Sequence, residues 1–295
     1  MSDDWLAAGQ GVRPERRWSF ATDAPLVALE TARETGETVL ADSSGGLYRL
    51  DRNGRIAAIT HGFHGIRGLC WGDVGGGAVL SGEAKLSRLD ADLAVVWSLE
   101  LHDAVRVIAV DPHGQYVAAA LANGETVILD PAKRKVSRFV TVRPLSFLRF
   151  LTAAPAIVGA ADHGLLCRYR LDGTEEWNTR LWSSAGDLSV TDDGETIYVA
   201  AFNQGVQTFD GSGRSGASFI VEGTPERLAA TARPLRLAAA TIEQHLYWLD
   251  EDGELLWAAA MPEKVAALRC DPLGRWLICG FEAGRVLRLA WAEPV

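Results

Sequence analysis

The sequence predicts an all-β, seven-bladed β-propeller with four antiparallel strands per blade. Three observations lead there. A Leu-Asp or Phe-Asp pair recurs at Leu50-Asp51, Leu89-Asp90, Leu129-Asp130, Leu171-Asp172, Phe209-Asp210 and Leu249-Asp250, at intervals of 39, 40, 42, 38 and 40 residues. A further step of 40 reaches Leu289-Ala290, where the aspartate is lost, giving seven units. A period near 40 filled with short alternating apolar runs is that of a four-stranded propeller blade. A two-blade period lies above it: Trp18, Trp97, Trp177 and Trp257 are 79, 80 and 80 apart, and Gly36, Gly114, Gly194 and Gly274 are 78, 80 and 80 apart.

The third unit shows the strands most plainly. Val105–Val110 is the first, and Asp111-Pro112-His113-Gly114 turns the chain, Pro presetting φ and Gly accepting a positive φ. Residues 116–121 are the second strand, Ala122-Asn123-Gly124 a turn, 126–129 the third strand and 136–140 the fourth. The β-branched and aromatic content favours strands over helices. The alanine-rich stretch 237–240 falls in register with a second strand and is read as one. Alternate units replace the glycine turn by Ala154-Pro155 or Arg233-Pro234, which points to descent from a two-blade unit whose alternation must break where seven blades close.

The seventh unit stops after its third strand, residues 285–291. Trp18-Ser19-Phe20 stands where the fourth-strand tryptophans of the other units stand. Residues 17–20 are therefore expected to pair with 285–289 and complete the last blade, covering two sheet edges at once. Residues 1–15, with Pro14 and several glycines, are expected to be a mobile tail before a single domain over 16–295.

Composition narrows the function classes. The chain has 295 residues with 29 Lys and Arg against 38 Asp and Glu, a net charge of −9, which argues against nucleic-acid binding. No stretch is long and apolar enough to insert in a membrane. The start, Met1, Ser2, Asp3, Asp4 and Trp5, is acidic and unlike a signal peptide, so a cytoplasmic location is expected. Cys70, Cys167, Cys270 and Cys279 have no CxxC spacing and are read as small buried apolar residues; Cys270 should face Trp276, not Cys279.

Residues 249–257, Leu-Asp-Glu-Asp-Gly-Glu-Leu-Leu-Trp, resemble the quinoprotein-type (PQQ-like) propeller repeat, and Leu171-Asp172-Gly173 with Trp177 is a shorter version. The turns at 111–114 and 271–274 resemble those of WD-repeat blades. The resemblance covers about residues 16–292 and implies the propeller fold. No residue matches a quinone or calcium ligand set, and no cofactor is expected.

Catalytic chemistry is not visible. His61, His64, His102, His113, His163 and His245 form no HxH or HExxH pattern, and no metal site is expected. Gly75-Gly76-Gly77 lacks the Lys and Ser/Thr of a phosphate loop. The carboxylate pairs Glu175-Glu176 and Asp192-Asp193 lie at solvated turns, so no catalytic residue is assigned and the protein is not expected to be an enzyme.

Three features go beyond a plain scaffold. Aligning first strands without gaps from the third unit places Arg149, Ser189, Ala229 and Arg269 in the column of Ala109, so Arg149 and Arg269 are expected to line the central channel. Arg67 and Arg106 stand at the entrances of their first strands. Phe63 and Trp182 in inter-blade loops, with Phe202 and Phe281 ending second strands, should approach the same face. Aromatic residues beside arginine form an interaction hot spot, so Phe63, Arg67, Arg106, Trp182, Phe202 and Phe281 are the expected partner-binding residues. The expected function is a non-catalytic scaffold for another protein. The alternatives are a small-ligand or peptide sensor using the arginine-lined channel, and a propeller hydrolase or lyase.

Overall fold

The computed structural model describes residues 4–291. The outer ends of the two expected segments, 1–3 and 292–295, lie outside the described residues. Seven sheets are arranged around an axis, each running antiparallel from an inner to an outer strand. The inner strands are Leu26–Ala32, Ile66–Trp71, Val105–Val110, Phe147–Phe150, Ala185–Val190, Pro225–Ala230 and Val265–Cys270, numbered here as blades 1 to 7. Second strands are almost wholly buried; the alanine-rich Leu237–Thr241 is one of them, its small side chains fitting between neighbouring blades. The four cysteines are buried and free. Cys270 opposes Leu277, one residue beyond the expected Trp276. Among the described residues no helix is long and apolar enough to cross a membrane.

The recurrent aspartate ends the third strand and organises the turn to the outer strand. Asp51 Oδ1 accepts the amides of Asn53 and Arg55 at 2.8 and 2.9 Å. Asp210 does the same for Ser212 and Arg214 at 2.9 and 3.0 Å, and Asp250 for Asp252 and Glu254 at 3.0 and 2.8 Å. At the matching place in blade 7 stands Ala290, and the outer strand of that blade is Glu15–Ala21 from the other end of the chain, so the acceptor is not required to turn the chain into it.

These hydrogen bonds favour the ionised carboxylate. The hydroxyl of Ser212 and the amide of Arg214 hold Asp210 down to about 2, and backbone amides lower Asp51, Asp130 and Asp172. A folded pKa below the unfolded one contributes stability that is complete above about pH 4 and is lost as pH falls toward the folded value. Asp210→Asn should therefore melt below the wild type at pH 5, and the gap should shrink as pH falls to 2. Thermal melts across this range test it; an equal gap at both ends would rule out the carboxylate charge as the agent.

Ring closure follows the expected register: Trp18 opposes Arg288, Ser19 opposes Leu287 and Phe20 opposes Val286. The tryptophan repeat has a shared purpose. The indole Nε1 of Trp18 donates to Arg52 O at 3.1 Å, that of Trp97 to Pro131 O at 2.9 Å and that of Trp177 to Gly211 O at 2.9 Å. Each acceptor lies in the third turn of the next blade, so the outer rims are tied together. Trp257, on blade 6, makes no such bond among the described residues.

The N-terminal segment packs there instead, so of the mobile tail expected over 1–15, residues 4–15 are part of the fold and 1–3 lie outside the described residues. Asp4–Ala8 is a short helix that buries Trp5 and Leu6. Trp5 lies 6.1 Å from Trp257 and edge-on to Phe281 at 6.3 Å. Gln10–Gly11 then adds a strand to the outer edge of blade 6, opposite Ala258 and Trp257. Gly9 permits this approach, since a Cβ there would stand 2.5 Å from Trp257 Nε1. Trp291 stacks on Trp248 at 4.8 Å and donates its Nε1 to Val12 O at 2.8 Å, closing the seam.

Candidate protein-interaction face

Loops from outer strands to the next inner strand, and turns between second and third strands, emerge on one face, called the upper face here. In the loop between blades 4 and 5, Leu181 and Ser183 are buried, and the residue between them, Trp182, is turned outward and is 71% exposed. The Arg180 guanidinium lies over its ring at 4.2 Å. Phe202, 54% exposed, ends the second strand of blade 5, and its amide donates to Ser184 O at 3.0 Å. The His163–Ser184 bridge and the Ala185 N–H donated to Asp162 O fix the same loop to blade 4. Trp182 and Phe202 therefore stand on one braced shelf.

Three aliphatic residues that sequence reasoning missed extend it. Val142 lies in the loop between blades 3 and 4, Ile220 between blades 5 and 6, and Ile242 in the second turn of blade 6. Their exposures are 91%, 90% and 43%. Each stands beside a buried neighbour, Thr141, Val221 or Thr241, and that in–out alternation across the loops was the signal available.

The other expected binding residues divide. Arg67 is exposed at the channel mouth. Arg106 is engaged, donating from Nη2 to Ser146 Oγ at 2.9 Å and Asp162 Oδ2 at 2.7 Å. Burial opposes ionisation of Asp162, but the Ser146 hydrogen bond and the Arg106 charge outweigh it and hold its pKa low. Phe63 is half-buried against the core between blades 1 and 2. Phe281 is not a docking residue: it is fully buried, with Trp5 on its edge and the Arg285 guanidinium 4.8 Å from its ring centre.

Arg149 and Arg269 stand on the inner strands of blades 4 and 7 at one cavity, and each meets a carboxylate. Arg269 donates from Nε to Glu30 Oε2 at 2.7 Å and from Nη2 to Glu30 Oε1 at 2.5 Å, a bidentate pair from blade 7 to blade 1. Arg149 reaches Asp187 Oδ1 at 3.5 Å and donates to Leu148 O at 2.9 Å. Burial lowers the Arg149 pKa and the Arg269 charge lowers it further; for Arg269 burial acts downward but the Glu30 carboxylate more than reverses it. The two arginines are thus matched by two carboxylates inside the fold.

Burial pushes all four thiols up, Cys167 to about 12, so none is a thiolate at neutral pH. Among the described residues no group of three or more His, Cys, Asp or Glu side chains is placed to hold a metal ion.

No protein-family model and no curated protein matches this sequence. Among solved structures, the chain is similar to the β-propeller domain of Myceliophteria thermophila Cps50 (Swd1). The TM-score is 0.80 at 16% identity, over 95% of this chain and 100% of that one. At that identity the likeness speaks for the fold: a seven-bladed β-propeller.

Proposed function

We propose that this propeller is a non-catalytic scaffold in the manner of WD-repeat proteins, and that it holds another protein on its upper face over blades 4 to 6. The observation that carries the reading is the arc of Val142, Trp182, Phe202, Ile220 and Ile242, exposed on loops that are themselves braced by hydrogen bonds. Exposed apolar groups on a rigid frame give a partner area to bury without a large ordering cost. The lower face offers fewer, Val74 and Leu273, on turns that are otherwise polar.

The test is affinity capture from the native cell, followed by titration of the purified partner. Trp182→Ala with Phe202→Ala should weaken binding about thirtyfold or more, since a central anchor is worth about 2 kcal/mol. The melting temperature should be unchanged because both side chains stand in solvent. Leu273→Ala on the lower face should bind like the wild type. Loss of binding in Leu273→Ala with retention in the double variant would move the site to the other face.

A further inference from the structure

The two-blade ancestry leaves a mark on the lower face. In blades 2, 4 and 6 the first turn donates backbone N–H groups to the first turn of the following blade. Asp73 N–H donates to Pro112 O at 2.8 Å, Thr152 N–H to Asp192 O at 3.1 Å and Ala232 N–H to Pro272 O at 2.8 Å. The blades are thus joined as 2–3, 4–5 and 6–7, and blade 1 is left over. Arg33, in its first turn, substitutes: its amide donates to Asp73 Oδ1 at 2.8 Å, and its guanidinium bonds Asp73, Thr152 Oγ1 and Asp192.

Between blade 7 and this odd blade 1 lies a cleft of about 710 Å³. Arg17, Arg52, Arg275 and Arg288 line it, and Glu34 is the one carboxylate in its lining among the described residues. Arg17 is paired at 3.1 Å with Glu15, and Arg275 with Asp271, which is itself fully buried. The other two, Arg52 and Arg288, meet no carboxylate among the described residues. Arg288 stands in a third strand, where Arg49 and Arg168 of blades 1 and 4 pair with Glu37 and Glu176. Arg288 instead donates to the carbonyl of Arg52 at 2.7 Å and lies over Trp276 at 4.5 Å. Burial lowers its pKa, and, against the opposing pull of Asp271, so do the nearby charges of Arg275, Arg17 and Arg52. Arg88, at the matching place in blade 2, also meets only a carbonyl, Gly114 O at 2.9 Å, but has no comparable group of arginines around it.

Like charges held together in a chain of net charge −9 are a local excess that an anion would neutralise. A guanidinium offers the forked donors that suit phosphate oxygens. We propose that the cleft between blades 7 and 1 binds the phosphate or pyrophosphate group of a small phosphorylated molecule, with Arg52 and Arg288 as its principal ligands. The cleft is larger than one phosphate and has room for the group that bears it. It lies on the face opposite Trp182, so it can be occupied while a protein partner is bound above.

The experiment is isothermal titration of the full chain with inorganic pyrophosphate and inorganic phosphate, with sodium chloride at matched ionic strength as reference. Pyrophosphate should bind with one-to-one stoichiometry, and more tightly than phosphate. Arg52→Gln, at an exposed side chain that makes no hydrogen bond or ion pair among the described residues, should weaken it about tenfold, the worth of one charged hydrogen bond. Arg134→Gln, on another blade, should leave it unchanged, as should Trp182→Ala with Phe202→Ala, which separates this site from the upper-face reading. Heat no greater than that of chloride, or equal affinity in wild type and Arg52→Gln, would overturn the proposal.

Discussion

Removing residues 1–21 should cost most of the stability of this protein, and removing 1–13 a substantial part of it. The longer deletion takes the whole outer strand of blade 7, including Trp18, which is 8% exposed and hydrogen-bonded to blade 1. It leaves the strand Arg285–Ala290 as a bare edge and disconnects blade 7 from blade 1 at the rim. A buried tryptophan alone is worth about 3 to 5 kcal/mol and a domain has only about 5 to 15 in total. The shorter deletion keeps that strand but uncovers Trp257, Phe281 and Trp291 by removing Trp5, Leu6 and the strand pair at Gln10–Gly11. Trp5→Ala should lose about 3 kcal/mol, and removal of 1–13 at least as much. Urea denaturation of the four proteins should order them wild type, Trp5→Ala, then residues 14–295, then residues 22–295. If residues 14–295 denature with the wild type, the helix and short strand are not part of the folded core.

The repeat made the fold legible. Its 40-residue step, the Leu-Asp pair and the tryptophan period each report a local contact that every blade must make, so the strand count and the closing strand could be placed from spacing. The N-terminal segment obeys no repeat, because it packs over Trp257 and the edge of blade 6, a contact that the repeat does not make. The clue was in the interval: Trp18, Trp97 and Trp177 each bond a residue 34 positions on, and 34 beyond Trp257 is Trp291, itself a tryptophan that packs on Trp248. Phe281 was misjudged for the same reason, since a second-strand end faces upward in every blade but only here does Trp5 cover it.

The channel shows a finer failure of spacing. Counting in steps of 40 found Arg149 and Arg269 but passed over Glu30. Cys70 and Ala109 occupy one level yet are 39 apart, because Cys70 opposes Ala78 whereas Ala109 opposes Ala118. That one-residue shorter hairpin shifts blades 1 and 2 out of the column, and the carboxylate that answers Arg269 went with them. The upper-face aliphatics escaped for a different reason. A lone Val or Ile in a loop is commonly a core residue, and only the fold tells which side of the loop faces water.

Glu30→Gln should destabilise the ring far more than the loss of one surface ion pair would. Glu30 and Arg269 are 20% and 23% exposed, and their bidentate contact joins the first and last blades across the closure. With the carboxylate gone, Arg269 keeps its charge, and its remaining bond is to Leu268 O, 2.6 Å away. Arg149, whose pKa its charge already lowers, shares the same narrow space. Breaking a buried pair by removing one partner costs about 3 to 5 kcal/mol, and the residual solvent contact here brings the expected loss to about 2 to 3 kcal/mol. Arg269→Met combined with Glu30→Gln should recover part of that loss, because no charge is then stranded, whereas independent sites would simply add. Urea denaturation of the two single variants and the double variant measures the coupling. A double variant less stable by the full sum of the single losses would mean that the pair does not act as a unit. A loss under about 0.5 kcal/mol for Glu30→Gln alone would mean that water in the channel already solvates Arg269.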